Sequence, residues 1–204
     1  QPLLAGRNYP EIRDLVEVLF RNIPTGVGSH RKDLRLDART EKQLLSEGAG
    51  WAVRQGYGDP QDLLHIEEGG RLEGADPSAV SERAKERGRT QLGTLGSGNH
   101  FVEVQRVAEV YDEAAARALG LLPDTLTVSI HTGSRGLGYQ VCDDFLQVML
   151  RAAREHGIWL PDPQLCCAPI RSPEGKRYLG AMYAAANFAF GNRLMLGLMA
   201  LGAL

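Results

Sequence analysis

Two histidines stand where a glycine-rich turn meets a short β-like run. His100 ends Gln91-Leu-Gly-Thr-Leu-Gly-Ser-Gly-Asn-His100 and enters the run 101–104, and His131 closes the run 126–130 and opens His131-Thr-Gly-Ser-Arg-Gly-Leu-Gly138. A neutral imidazole at a strand end is a metal ligand or a proton carrier presented to a cleft. Glycine lets the backbone come close to a ligand, because without Cβ it reaches conformations that other residues avoid. Phosphate is the natural candidate for that ligand. In the second turn Thr132, Ser134 and Arg135 supply anion donors and lead into what reads as a helix starting near Gly138. Its free N–H groups and positive end would face the same anion, and Arg135 adds a planar fork suited to phosphate oxygens. Either histidine taken singly reads more readily as a satisfied loop residue. Taken together, and flanked by Asn99, Glu103 and Arg135, they make a candidate metal and phosphate site.

The elements that must hold these turns are mostly helical. Ile12, Leu15, Val16 and Leu19 recur at helical spacing over 10–20, which reads as a core-packing helix with acids in its first turn. Ile23-Pro-Thr-Gly-Val-Gly-Ser-His30 then forms a loop able to lie over a ligand, with His30, Arg31 and Lys32 read as surface residues or, alternatively, as phosphate contacts. Thr40 is a good N-cap for a helix to about Gln55 that turns Trp51 and Ala52 inward. The acidic stretch 63–74 gathers His65, Glu67 and Glu68 without a diagnostic metal spacing and reads as a solvated loop. Asp76, Pro77 and Gly88 delimit a helix whose Arg83, Lys85, Arg87 and Arg89 form either a solvated face or an RNA-backbone contact. A short Ala-rich helix over 112–119, a strand over 126–130, a long helix over 139–156, a turn at 172–175 and a small-residue helix from Tyr178 onward complete the chain. In that last helix Asn187, Asn192 and Arg193 are the few polar points; a buried polar side chain needs a partner, so at least one of them is expected to face a site. Strands and helices do not alternate regularly and no Gly-x-Gly-x-x-Gly follows the first strand, so the expected class is α+β, a mixed sheet region with flanking helices.

Composition narrows the class without naming a chemistry. The 204 residues suit one domain, and a net charge of −2 gives no bulk attraction to nucleic acid, so any RNA contact must be a local patch. Cys142, Cys166 and Cys167 form no metal-type spacing and a poor disulfide framework, which fits a reducing, cytoplasmic setting. No signal peptide is read before the first helix. The apolar run 194–204 is only 11 residues long, shorter than a bilayer span, and is expected to be a buried core helix rather than a membrane anchor. Both ends look cut, since the chain opens on Gln1 and stops inside an apolar helical pattern.

Gly93-Thr-Leu-Gly-Ser-Gly-Asn-His-Phe-Val-Glu103, His131-Thr-Gly-Ser-Arg-Gly-Leu-Gly138 and Ala184-Ala-Ala-Asn-Phe-Ala-Phe-Gly-Asn-Arg193 resemble, in order, three successive signatures of the RtcB RNA ligases. The resemblance implies an RtcB-like fold, incomplete at both ends, with residues 1–204 the central part of a single catalytic domain. It implies a GTP- and Mn2+-dependent ligase joining RNA 2′,3′-cyclic phosphate or 3′-phosphate ends to 5′-hydroxyl ends, as in tRNA splicing and RNA repair, and an archease-type activator as a further partner. By the same resemblance His100 and His131 are ligands of two different Mn2+ ions, Asn99 and Glu103 contact the nucleotide, and Arg135 binds a phosphate of GTP or of the RNA end. The family's bridging cysteine from an Asp-x-x-Cys motif and its guanylate-accepting histidine have no match in this chain. The resemblance therefore makes the chain a fragment inactive alone, or alternatively a shortened, non-catalytic nucleotide- or RNA-binding protein.

Overall fold

One long helix is the axis on which the other elements pack. The structure is a computed structural model that describes residues 9–202, with side chains from residue 13 onward. Its regular elements are α1 (Tyr9–Asn22), α2 (Ala38–Glu47), α3 (Ala49–Arg54), α4 (Glu82–Gly88), β1 (Phe101–Arg106), α5 (Glu113–Leu119), β2 (Leu126–His131), α6 (Arg135–Glu155) and α7 (Pro173–Gly202). Helix α7 runs for 30 residues, and Gly180, Ala181, Ala184 and Ala185 keep its surface low enough for α2, α3 and α6 to approach closely. Phe188, Leu44, Leu45, Leu92 and Leu137 fill the main core. A second cluster, with Leu15, Leu19, Ile23, Leu95 and Leu196 at its centre, lies under one face of the sheet.

Class and sheet agree with the α+β expectation, and among the described residues the sheet is a single antiparallel pair, β1 against β2. Phe101 faces His131, Glu103 faces Ser129 and Val104 faces Val128. Because paired residues share a face and successive residues alternate, Val102, Val104, Val128 and Ile130 pack on the second core cluster. Phe101, Glu103 and His131 stand on the other face.

Several local expectations give way to better caps. Asp37, not Thr40, is the N-cap of α2: its carboxylate accepts from the Thr40 N–H at 2.7 Å while Thr40 Oγ1 accepts from the Asp37 N–H at 3.0 Å. Gly48, with φ 57°, then breaks the run into α2 and α3, while Trp51 and Ala52 turn inward as expected. The stretch 77–88 is also split, since Asp76 caps only the short 3-10 turn Pro77–Ala79 and Ser81 caps α4. The stretch 63–74 holds 3-10 turns rather than an open loop. Ser172 Oγ accepts from the Gly175 N–H at 3.1 Å, so the turn expected at 172–175 is the first turn of α7, with Pro173 where its missing N–H costs nothing. In α1, Leu15 and Leu19 are buried but Val16 is 49% exposed. Ile12, Ala203, Leu204 and the stretch before α1 lie outside the described side chains or residues. No described helix is long and apolar enough to cross a membrane.

The two asparagines of α7 are fully buried and neither opens onto a cleft. Asn187 donates to the Leu45 carbonyl at 3.0 Å and accepts from the Leu72 N–H at 2.7 Å, fastening α2 and the 3-10 segment to α7. Asn192 accepts from the Gly93 N–H at 2.8 Å and the Thr94 N–H at 3.3 Å, and donates to the carbonyls of Thr94 at 3.2 Å and Gly133 at 3.1 Å. Of the three polar points of this helix the two asparagines commit their side chains to backbone groups, with Asn192 tying both glycine turns together from behind, whereas Arg193 lines a cleft with Asp62, His65 and Glu67. Truncating Asn192 orphans several buried backbone groups at once. Asn192→Ala is expected to lose on the order of 3 kcal/mol in denaturant unfolding, whereas exposed Met182→Ala should stay within roughly 0.5 kcal/mol; similar midpoints for the two variants would contradict this role.

Candidate metal and phosphate site

Antiparallel pairing of β1 with β2 is what brings the two histidines together. His100 immediately precedes β1 and His131 ends β2, so their rings meet with centroids 6.1 Å apart and planes 72° to each other. The Phe101 ring stands edge-on to His131, with centroids 5.2 Å apart. His131 is exposed on the outer sheet face, and Glu103 lies on that same face, its carboxylate accepting from Gln105 Nε2 at 2.8 Å. Asn99 is exposed at the turn before β1.

Arg135 comes from the opposite side and meets His100 across one glycine. A Cβ built on Gly96, whose φ is 111°, would collide with both Arg135 Nη1 and His100 Nδ1. Only glycine leaves room for that approach, and only glycine takes that backbone angle without strain. The guanidinium is fixed by Thr94 Oγ1, which accepts from Nε at 3.0 Å, and by Ser29 Oγ and the Gly26 carbonyl, which accept from Nη2 at 3.2 and 3.4 Å. The loop 23–30 therefore does cover the site, through Gly26 and Ser29. His30 instead has Nδ1 3.0 Å from the Gly28 carbonyl.

Helix α6 begins at Arg135, three residues before the expected Gly138, which puts the guanidinium on the first helical residue. Arg135 has φ 56°, a left-handed conformation that is rare for a long side chain. Gln91 Oε1 accepts from the Gly136 N–H at 2.8 Å and serves one of the free donors of that helix end. Together Arg87, Gln91, Ser97, His100, Arg135, Gly136, Val27 and Tyr139 line a cleft of about 560 Å³. Arg87 lies over the Tyr139 ring, 5.5 Å from its centroid. Of the basic residues before the first turn only Arg87 lines the cleft: Lys85 pairs with Glu82, Arg89 pairs with Glu41 and Glu82, and Arg83 is exposed. Arg193 points elsewhere, toward the Thr132 carbonyl at 3.4 Å and over the Phe190 ring.

The surroundings of His100 disfavour its charged form. Its Nδ1 is buried with no hydrogen-bond partner, and burial first, then the Arg135 guanidinium and His131, hold its pKa below the ordinary histidine value. A neutral ring with an uncommitted nitrogen is the form that ligates a divalent transition metal. The adjacent guanidinium would repel a bare cation but would welcome one that arrives with phosphate. Among the described residues no group of three or more His, Cys, Asp and Glu side chains converges tightly enough to hold a metal, which also removes His65, Glu67 and Glu68 as a metal centre. The two histidines fit part of a coordination shell.

Of the residues singled out in the sequence, His100 and Arg135 line this cleft and His131, Glu103 and Asn99 do not; Gln91 and Tyr139 in the lining, Thr94 against Arg135 and the bracing by Asn192 are not singled out there. A polar side chain in an otherwise apolar helix is the available signal for Asn192; the others depend on contacts between segments distant in the chain.

The depressed pKa has a sign that can be checked. The unfolded chain takes up a proton on His100 as pH falls through the usual histidine range while the folded chain resists, so this residue's contribution to stability is present above that range and is lost on acidification through it. By NMR, the His100 midpoint is expected below about 6.5 and is expected to rise in Arg135→Gln, which removes a neighbouring cation; an unchanged midpoint would contradict the contact.

Comparison with known proteins matches this chain to one family. The sequence model described as "tRNA-splicing ligase RtcB" matches residues 3–204. A tRNA-splicing ligase RtcB of Pyrococcus furiosus is 56% identical over 187 residues, 92% of this chain and 19% of that protein. The protein of the same name from Thermococcus kodakarensis is 53% identical over 92% of this chain and 39% of its own length, and that from Archaeoglobus fulgidus is 54% identical over 90% and 38%. The chain thus spans between about a fifth and two fifths of the length of these curated relatives. With the family model covering nearly all of it, and with both glycine turns and the Asn192 clamp inside the matched region, the chain belongs to the RtcB family.

Proposed function

We propose that this chain supplies the central wall of an RNA ligase site that joins a 2′,3′-cyclic phosphate or 3′-phosphate end to a 5′-hydroxyl end with GTP and two Mn2+ ions. The observation that supports this reading most is the pairing of unlike groups across Gly96, an uncommitted imidazole nitrogen facing a fixed guanidinium. Metal alone would not call for the guanidinium, and phosphate alone would not call for a neutral imidazole. A metal-bound phosphate uses both.

In this reading His100 and His131 hold metal, each toward a different ion, and Mn2+ when bound spreads the charge that builds on the phosphoryl oxygens. Arg135, held by Thr94, Ser29 and Gly26, orients a phosphate oxygen pair and cannot swing away from it. Asn99 and Glu103 contact the nucleotide from the exposed side of the turn and sheet. Arg87 and Tyr139 widen the basic surface along which an RNA backbone runs in a protein of slightly negative net charge.

The relatives' printed name, tRNA-splicing ligase, supports RNA as the substrate class. The chain spans only about a fifth to two fifths of its curated relatives' length, so in this reading ligation belongs to a longer protein that includes this segment, with an archease-type activator as a further partner. The same observation favours, as the second reading, a chain that by itself binds nucleotide or RNA without ligating it.

Fluorescence anisotropy with a short RNA carrying either a 3′-phosphate or a 3′-hydroxyl tests the phosphate assignment. The phosphorylated end is expected to bind about tenfold more tightly, a difference lost in Arg135→Gln, as removal of a charge-assisted contact requires. Equal affinity of the two RNAs for the unmodified chain would overturn the assignment.

A further inference from the structure

A second cleft, of about 410 Å³, lies between α6, the connector that follows it and the first turns of α7, and shares no lining residue with the first. Phe145, Leu146, Met149, Ile170 and Tyr178 make its walls apolar, and all three cysteines of the chain line it: Cys142 from α6, Cys166 and Cys167 from the connector. All three thiols of the chain thus line one cleft although they come from two segments. Cys142 and Cys167 are exposed and Cys166 is half-buried against the main core cluster. Burial, and then the nearby Cys142 and Cys167, push the Cys166 thiol up from its ordinary pKa. Among the described residues no group of three or more of these ligand types could hold a metal, so the cluster is not a thiolate metal centre.

We propose that this cleft is a thiol-modification site in which Cys142 and Cys166 are cross-linked by exchange with a low-molecular-weight disulfide. Cys142 is the exposed thiol that reacts first: its thiolate attacks one sulfur of the small disulfide, that S–S bond breaks, and one small thiolate leaves, giving a mixed disulfide on Cys142. Cys166 then gives its proton to solvent and attacks Cys142 Sγ, expelling the second small thiolate and closing the bond between α6 and the connector. Two protein thiols are oxidised and one small disulfide is reduced to two thiols. Cys166, half-buried against the main core cluster, is assigned as the resolving thiol rather than the exposed Cys167. A bond between the neighbours Cys166 and Cys167 is disfavoured, because adjacent Cα atoms are about 3.8 Å apart and an unstrained disulfide needs roughly 4.4–6.8 Å. The cross-link joins the helix that carries Arg135 to the segment leading into the helix that carries Asn192.

The test is incubation of the 204-residue chain with oxidised glutathione, followed by thiol counting and peptide mapping, on the unmodified chain and on Cys142→Ser, Cys166→Ser and Cys167→Ser. The expected result is a Cys142–Cys166 linked peptide in the unmodified chain, where the exposed Cys167 takes up at most one glutathione, and in Cys167→Ser, where two thiols are lost, all reversed by dithiothreitol. Cys142→Ser and Cys166→Ser should yield only mixed disulfides with glutathione. Only mixed disulfides in the unmodified chain, or a linked peptide that contains Cys167 instead, would overturn the proposal. Far-UV circular dichroism of each variant separates loss of the cross-link from loss of the fold.

Discussion

The carboxamide of Asn192 is the constraint on which the site depends. Four backbone groups of the two glycine turns converge on it, two N–H donors on its oxygen and two carbonyls on its nitrogen. Glycine turns supply unusual backbone angles but cannot hold them, since the residue that gains most freedom also loses most entropy on ordering. A side chain that is fully buried, rigid and able to donate and accept solves this at one point. Its own position is secured by α7, whose small residues let α2, α3 and α6 close around the helix. Packing thus fixes Asn192, Asn192 fixes the turns, and the turns present His100, His131 and Arg135.

The same logic explains the charge arrangement. Arg135 is taken partly out of water in a left-handed conformation, which costs free energy that its hydrogen bonds to Thr94, Ser29 and Gly26 offset. Burial, and then this guanidinium, hold the His100 pKa below the ordinary histidine value. A cation and an anion bound together would relieve both groups, which is the arrangement we propose for this site.

Much of this site is legible in the sequence, and the reason differs residue by residue. His100 and His131 can be found because each sits at a junction between a glycine turn and a β-like run, a local signal. Antiparallel pairing, which decides that they face each other, is not local. Arg135 reads as an anion donor, but its place on the first residue of α6 is hidden because Gly136 and Gly138 look like turn residues and are helical here. Thr40 masks Asp37 because a reciprocal capping box contains two plausible caps. At least one of Asn187, Asn192 and Arg193 reads as facing a site, since a buried polar side chain needs a partner; that the partners of the two asparagines are backbone groups from residues 45 to 133 depends on tertiary contacts alone. The cleft at Cys142, Cys166 and Cys167 is equally hidden, its cysteines lying on two separated segments.

The central claim is that His100, held by the clamped turns, ligates metal. Isothermal titration of the chain with Mn2+, with and without GTP, tests it most directly when His100→Ala is compared with His65→Ala, a histidine on the 3-10 segment away from the turns. Saturable binding is predicted, at least about tenfold weaker in His100→Ala, the loss expected when a ligand of a metal shell is removed, and unchanged in His65→Ala. Equal effects of the two substitutions, or no saturable binding by the folded unmodified chain, would contradict it.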